Sequence, residues 1–212
     1  MKVSKSNASR KVGGKPVQSK THKSQAPQRS VEPITVFALR KAAYVTFPFY
    51  RKIVQDEAYS AEWAKAVRTG DLNQLLKLFQ LAVGKVNLLA FSTNAIGYFI
   101  DLPVPKPLES VTNATSIRPG QVQFTFSSAV HRAVARAILP LYREIAVNRG
   151  YAALIVKAIR SNNQPFLEQL IRSKVKTSRL VKVELNNGFF LGFKFPGSRY
   201  VYYNQIFHER FV

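Results

Sequence analysis

RKAAYVTFPFYRKIVQDEAYSAEWAKAVRTGDLNQLLKLFQLAV (residues 40–83) and RAVARAILPLYREIAVNRGYAALIVKAIRSNNQPFLEQLIRSKV (residues 132–175) align without a gap at a constant offset of 92. Fourteen of the 44 positions are identical, including Arg40/Arg132, Pro48/Pro140, Tyr50/Tyr142, Arg51/Arg143, Tyr59/Tyr151, Lys65/Lys157 and Arg68/Arg160. Shared helix-forming composition would not preserve a proline and a tyrosine two residues apart. The match therefore reads as an internal duplication. The expected fold class is α+β: two tandem duplicated units, each of short helices followed by a small antiparallel β-meander, packed as a pseudo-dimer.

Within unit one, residues 34–46 predict a helix that Pro48 ends or kinks. Further helices are expected over 50–58 and 60–68. Thr69-Gly70-Asp71 then supplies a stop and a restart, with Gly suited to the left-handed C′ position and Asp to the N-cap. Leu72, Leu75, Leu76, Phe79 and Val83 recur at i, i+3, i+4 and i+7, the stripe of an amphipathic helix over 72–83. Strands are expected over 86–92 and 96–102, and residues 103–120, with four prolines, read as a linker. QVQFTFS (121–127) alternates and predicts the third strand of unit one.

Unit two repeats the plan over 128–212. Helices are expected over 129–139, 141–148 and 151–160. Asn162 and Asn163 stand where Gly70 and Asp71 stood, and Pro165 suits a first helical turn. Asn186-Asn187-Gly188 between apolar runs predicts a hairpin of strands 180–185 and 189–195 with a type I′ turn. Phe189, Leu191, Phe193 and Phe195 share one strand face, and a last strand is expected over 200–207. The domain plan is thus a basic arm (1–31), unit one (32–102), a linker (103–120), the strand 121–127, and unit two (128–212).

Charge carries the functional signal. Lys and Arg number 32 against 11 Asp and Glu, for a net +21. Such an excess seeks polyanions. Lys2, Lys5, Arg10, Lys11, Lys15, Lys20, Lys23 and Arg29 lie in residues 1–31 with no acid among them. That segment is too polar to offset its ordering entropy and is expected to be disordered alone, free to neutralise phosphates. Residues 32–212 keep 24 basic against 11 acidic residues, so the preference extends beyond the arm. There the candidate polyanion contacts are Arg51 and Arg143, each beside a tyrosine that could share its surface, and Lys65/Arg68 and Lys157/Arg160, each at i and i+3 on one helix face. A denser cluster, Arg172, Lys174, Lys176, Arg179 and Lys182, leads into the second hairpin. The helix-turn-helix-then-hairpin order is also the plan of a winged helix. By that analogy Asn73, Gln74, Lys77 and Gln80, or Glu168, Gln169, Arg172 and Lys176, would face DNA.

Catalysis finds little support. The three histidines, His22, His131 and His208, lack metal-ligand spacing, no carboxylate recurs in both units, and there is no cysteine. No cofactor and no metal is expected. No apolar run is long enough to span a membrane, and no secretory signal opens the chain. An intracellular location, or one within an assembled particle, is expected. The reading is a non-enzymatic nucleic-acid-binding or packaging protein with little sequence selectivity. The alternative is a capsid, coat or other shell subunit that self-associates and whose basic arm tethers an acidic partner. An adaptor for an acidic protein or anionic surface ranks third.

Overall fold

Residues 33–120 and 122–208 are described by a computed structural model. In chain order they form α1 (Val36–Gln55), α2 (Glu57–Thr69), α3 (Leu72–Val83), β1 (Ala90–Thr93), β2 (Gly97–Pro103), β3 (Ser110–Ile117), α4 (Ser128–Val147), α5 (Arg149–Arg160), α6 (Gln164–Lys174), β4 (Leu180–Leu185), β5 (Gly188–Phe193) and β6 (Tyr202–Phe207). The strands make one antiparallel sheet in the order β1-β2-β3-β6-β5-β4. The two meanders therefore meet edge to edge at β3 and β6. The described strands do not form two separate sheets packed face to face. The class is α+β, with six helices and six strands among the described residues. No described helix is long and apolar enough to cross a membrane.

Each helix start follows from a capping side chain. Thr35 accepts from Ala38 N, Asp56 from Tyr59 N, Asp71 from Gln74 N, Ser127 from Val130 N, Asn148 from Tyr151 N and Asn163 from Phe166 N. Each bond satisfies an otherwise orphaned helical N–H. Gly70 and Asn162 take the left-handed conformation at φ 67° and 50°, the shared turn chemistry read from the sequence.

Several sequence expectations fail for identifiable reasons. Pro48 does not divide α1, and Pro140 does not divide α4. Pro48 forfeits only the bond to the Tyr44 carbonyl, on a side of α1 where Tyr44 is 72% exposed, while Phe49, Tyr50 and Ile53 beyond it are buried. The breaks fall at Asp56 and Asn148, which cap the next helices. The strand expected over 121–127 is absent: Phe124 is left-handed (φ 53°) and 70% exposed, and Ser127 caps α4. The third strand is β3, inside the stretch 103–120 that reads as a linker. Its sequence, SVTNATSI, lacks apolar alternation because it lies mid-sheet and turns polar side chains toward a buried hydrogen-bonded network. In the second hairpin only Asn187 has positive φ (47°), so the turn is not type I′. Gly188 already belongs to β5 and serves close approach, because a Cβ there would collide with the Ile206 backbone. β1 is only four residues long and overlaps the strand expected over 86–92 at residues 90–92.

All six helices cover one face of the sheet. Tyr98, Ile100, Leu102, Val111, Asn113, Ile117, Phe189, Leu191, Phe193, Tyr202, Asn204 and Ile206 alternate onto that face and are buried. α1 and α4 run antiparallel at its centre. Arg40, early in α1, donates to the Ala146 carbonyl late in α4 (2.8 and 3.2 Å), and Arg132, early in α4, donates to the Val54 carbonyl late in α1 (3.3 Å). Beneath this pair lies a cycle of buried hydrogen bonds. Tyr50 OH donates to Asn113 Oδ1 (2.8 Å), and Asn113 Nδ2 to Tyr142 OH (2.6 Å). Tyr142 OH donates to Asn204 Oδ1 (2.8 Å), and Asn204 Nδ2 to Tyr50 OH (2.9 Å). Each phenol donates once and accepts once within the cycle, which ties α1 and α4 to β3 and β6. Around it, Phe49, Trp63, Phe79, Phe91 and Tyr98 pack with centroid separations of 4.5–6.2 Å. The matching positions of the second half, Leu141, Ile155 and Ile171, are aliphatic and equally buried.

Candidate nucleic-acid interface

The solvent side of the α1–α4 pair gathers cations. The antiparallel register that brings Arg40 to Ala146 sets Arg51 level with Arg136, and Tyr44 beside Arg143. Arg51, Arg136 and Arg143 are exposed and have no carboxylate within ion-pair distance among the described residues. Arg136 and Arg143 border a shallow hollow of ≈ 620 Å³ with Phe47, Leu139 and Pro140. Arg143 also borders an apolar groove of ≈ 390 Å³ formed with Tyr44, Phe47, Val83 and Val147. Guanidinium groups between apolar and aromatic side chains are less hydrated than lysine ammoniums and take phosphate in a bidentate fork.

Meanwhile the acids are engaged elsewhere. Asp56, Glu57, Glu109, Glu144, Glu168 and Glu184 each hold an ion pair. Asp71 caps α3, Asp101 accepts from Thr112 Oγ1 (2.6 Å), and Glu62 accepts from Gln74. Hydrogen bonding to Asn148, then to Lys174, holds the Glu144 carboxyl below the usual range. Burial pulls Glu184 upward, but hydrogen bonds from Lys182 and Arg118 outweigh it and leave its pKa lowered. Every carboxylate among the described residues thus has an internal partner, and Glu144, paired with Lys174, also borders the hollow beside Arg143. Among these residues no three His, Asp or Glu side chains converge as a metal site.

The sequence-derived candidates divide. Those of residues 1–31 lie outside the described residues. Arg51 and Arg143 are surface cations as expected, but their tyrosine neighbours are not: Tyr50 and Tyr142 are fully buried in the hydrogen-bonded cycle. Successive helix positions point about 100° apart, so adjacent residues do not share a surface. Lys65 is exposed, but its i+3 partner Arg68 is partly buried and donates to the Phe126 carbonyl (2.7 Å), fixing the approach to α4. Lys157 and Arg160 do share an exposed face, beside Val36 and Val156. In the hairpin cluster, Arg172 is held by Glu168 (2.7 Å) and the Leu180 carbonyl (3.1 Å). Lys174 pairs with Glu144 (3.3 Å) and lies 5.3 Å from the Tyr151 ring centroid, and Lys182 pairs with Glu184. Only Lys176 and Arg179 remain exposed without a described acidic partner. Arg172, offered as a DNA-facing residue by the winged-helix analogy, is therefore tied within the molecule.

Sequence reasoning missed Arg136, because its matched position holds Tyr44 and it belongs to no dense run of cations. Its spacing of seven from Arg143 on one helix was the available signal. His131 is a core residue: its Nε2 lies 2.9 Å from Tyr98 OH, and burial pushes its pKa down to about 3. The matched Leu39 is equally buried. No protein-family model matches the chain, and no curated protein or solved structure shows significant similarity to it.

Proposed function

We propose that this chain is a non-enzymatic nucleic-acid-binding or packaging protein that grips phosphate backbone with little sequence selectivity. The observation that carries the reading is the exposed Arg51, Arg136 and Arg143 on the α1–α4 surface, none of them in an ion pair among the described residues while every described carboxylate has another partner. The net charge of +21 and the eight cations of residues 1–31 add to it. Exposed Lys157, Arg160, Lys176 and Arg179 extend the basic surface.

The architecture belongs to the same proposal: a tandem duplication whose halves pack as a pseudo-dimer. α1, α2 and α3 begin at Val36, Glu57 and Leu72, and α4, α5 and α6 begin 92 positions later at Ser128, Arg149 and Gln164. In the strands the best correspondence is one residue shorter, pairing Gly97 with Gly188 and Asn113 with Asn204. Both glycines sit where a Cβ would strike the neighbouring strand. The reciprocal Arg40 and Arg132 contacts also support it. Such an arrangement doubles a basic surface about one axis.

Salt-dependent binding tests the function. Each neutralised phosphate contributes about 0.9 to the slope of log K against log salt. Replacing Arg51, Arg136 and Arg143 by Gln is expected to reduce that slope by roughly 2–3. Binding that is indifferent to salt in the wild-type protein overturns the reading. A shell-subunit role is favoured by one observation, the groove whose rim residues Tyr44 and Val147 are 72% and 68% exposed. Sedimentation of the protein from its source, before and after nuclease, separates the two. Packaging requires particles that carry nucleic acid, and a shell subunit forms them without it.

A further inference from the structure

We infer that the sheet face turned away from the helices binds single-stranded nucleic acid by base stacking. The inference rests on the proposed nucleic-acid function and adds a preference for strand type.

β2, β3, β6 and β5 align one cross-strand row on that face: Phe99, Ala114, Gln205 and Phe190. Two phenylalanines stand at the ends, with a small and a polar residue between them. Three interstrand steps of about 4.8 Å place the rings roughly 14 Å apart. The next row, Gly97, Ser116, Tyr203 and Gly192, carries glycine at both ends and so lowers the floor beside them. The result is a trough of ≈ 770 Å³ bordered by Phe99, Phe190, Arg118, Tyr203, Ser116 and Gln205. That volume lies within the range of small-molecule sites. Of the described helices only α6 reaches the trough, through its first residue, Gln164.

The chemistry of the trough suits a nucleobase. Phe99 and Phe190 are only partly buried, and Phe190 stacks on Phe207 at 5.3 Å and 29°, fixing its ring plane. Aromatic faces take any base, which fits recognition without strong sequence selectivity. Gln205 Nε2 donates to Ser116 Oγ (3.0 Å). The Ser116 hydroxyl hydrogen and the Gln205 side-chain oxygen, Oε1, have no partner among the described residues, so the floor offers a donor beside an acceptor. Arg118 lies 4.7 Å over the Tyr203 ring and forks onto Glu184 at 2.8 and 2.9 Å. Lys182 contacts the same carboxylate. Two cations on one acid leave the rim with a net positive charge for a phosphate. A duplex keeps its bases stacked inside and cannot present them to this floor.

The test is fluorescence anisotropy of the full chain with a labelled oligothymidylate and with a duplex of the same length. Phe99→Leu/Phe190→Leu keeps apolar bulk and removes the aromatic faces, and unchanged Trp63 emission certifies its fold. The expected result is tighter binding of the single strand by the wild type, and a loss of about tenfold or more for the single strand alone in the variant. Salt-dependent binding of both strand types with equal affinity, or an equal loss on both, overturns this inference and leaves the proposed function standing. Failure of the wild type to bind either at low salt overturns both. A variant that loses self-association while keeping its strand preference assigns the face to a contact between copies, which also overturns the inference.

Discussion

Replacing Tyr142 with Phe removes one hydroxyl and opens the cycle that joins the two halves. Asn204 Oδ1 loses its only donor among the described residues, and one Asn113 N–H loses its acceptor while the other keeps the Gln205 carbonyl at 3.3 Å. Both orphans are fully buried. Each costs about 1–3 kcal/mol, so Tyr142→Phe is expected to cost about 2–6 kcal/mol. Tyr151→Phe is the control. It also removes a phenol–carbonyl bond, to Leu170 O at 2.7 Å, but that carbonyl keeps Ser173 Oγ at 2.6 Å. Its expected cost is about 0.5–1.5 kcal/mol, the net worth of an ordinary hydrogen bond. Because each bond in the cycle orients the next, Tyr50→Phe/Tyr142→Phe is expected to cost less than the sum of the single changes. Urea unfolding followed at Trp63, the single tryptophan and fully buried, gives all four values. Equal destabilisation by Tyr142→Phe and Tyr151→Phe would refute the cycle as the joint between the halves.

Acid should weaken the fold through His131. Its folded pKa of about 3 lies below its unfolded value, so the unfolded chain takes up a proton that the native state refuses. Stability is then fully present above about pH 6.5 and falls by about 1.4 kcal/mol per unit below it, towards pH 3. Denaturation midpoints between pH 6.5 and 5 should show that slope, and His131→Leu, which copies the matched Leu39, should flatten it. Ala at Gly97 or Gly188 puts a Cβ into the adjacent strand, against Thr115 O or Ile206 C at 2.7 and 2.9 Å, and is expected to cost about 1–3 kcal/mol. Ala at Gly150 in α5 meets only Asn148 Oδ1 at 3.4 Å and is expected to stabilise by about 0.4–1 kcal/mol, so thermal midpoints should move in opposite directions.

Local signals were legible because their causes are local. The Gly70–Asp71 and Asn162–Asn163 turns and the alternation of Phe189, Leu191 and Phe193 depend on neighbours within one or two turns. β3 was not legible: the stretch that holds it reads as a linker, and the third strand was expected over 121–127. SVTNATSI carries polar groups where an isolated strand would carry apolar ones, and their partners, Tyr50 and Asp101, are distant or on another strand. QVQFTFS has the right alternation, but one of its phenylalanines is exposed and the stretch is spent on reaching α4. Among the candidate cations the sequence could count charges but not partners. Arg68, Arg172, Lys174 and Lys182 looked like free cations and are tied inside the molecule.

By itself the sequence determined the α+β class, the helix starts at Asp71 and Asn163 and the cationic excess, because periodicity, capping chemistry and charge are properties of short stretches. Tertiary structure alone decided that the two meanders share one sheet, that the repeated tyrosines are buried, and which arginines are left without an ion-pair partner. The physical reason is that hydrogen-bond partners and ion pairs come from residues far apart in the chain. Whether a polar or charged side chain is free to act depends on which of them the fold brings within reach.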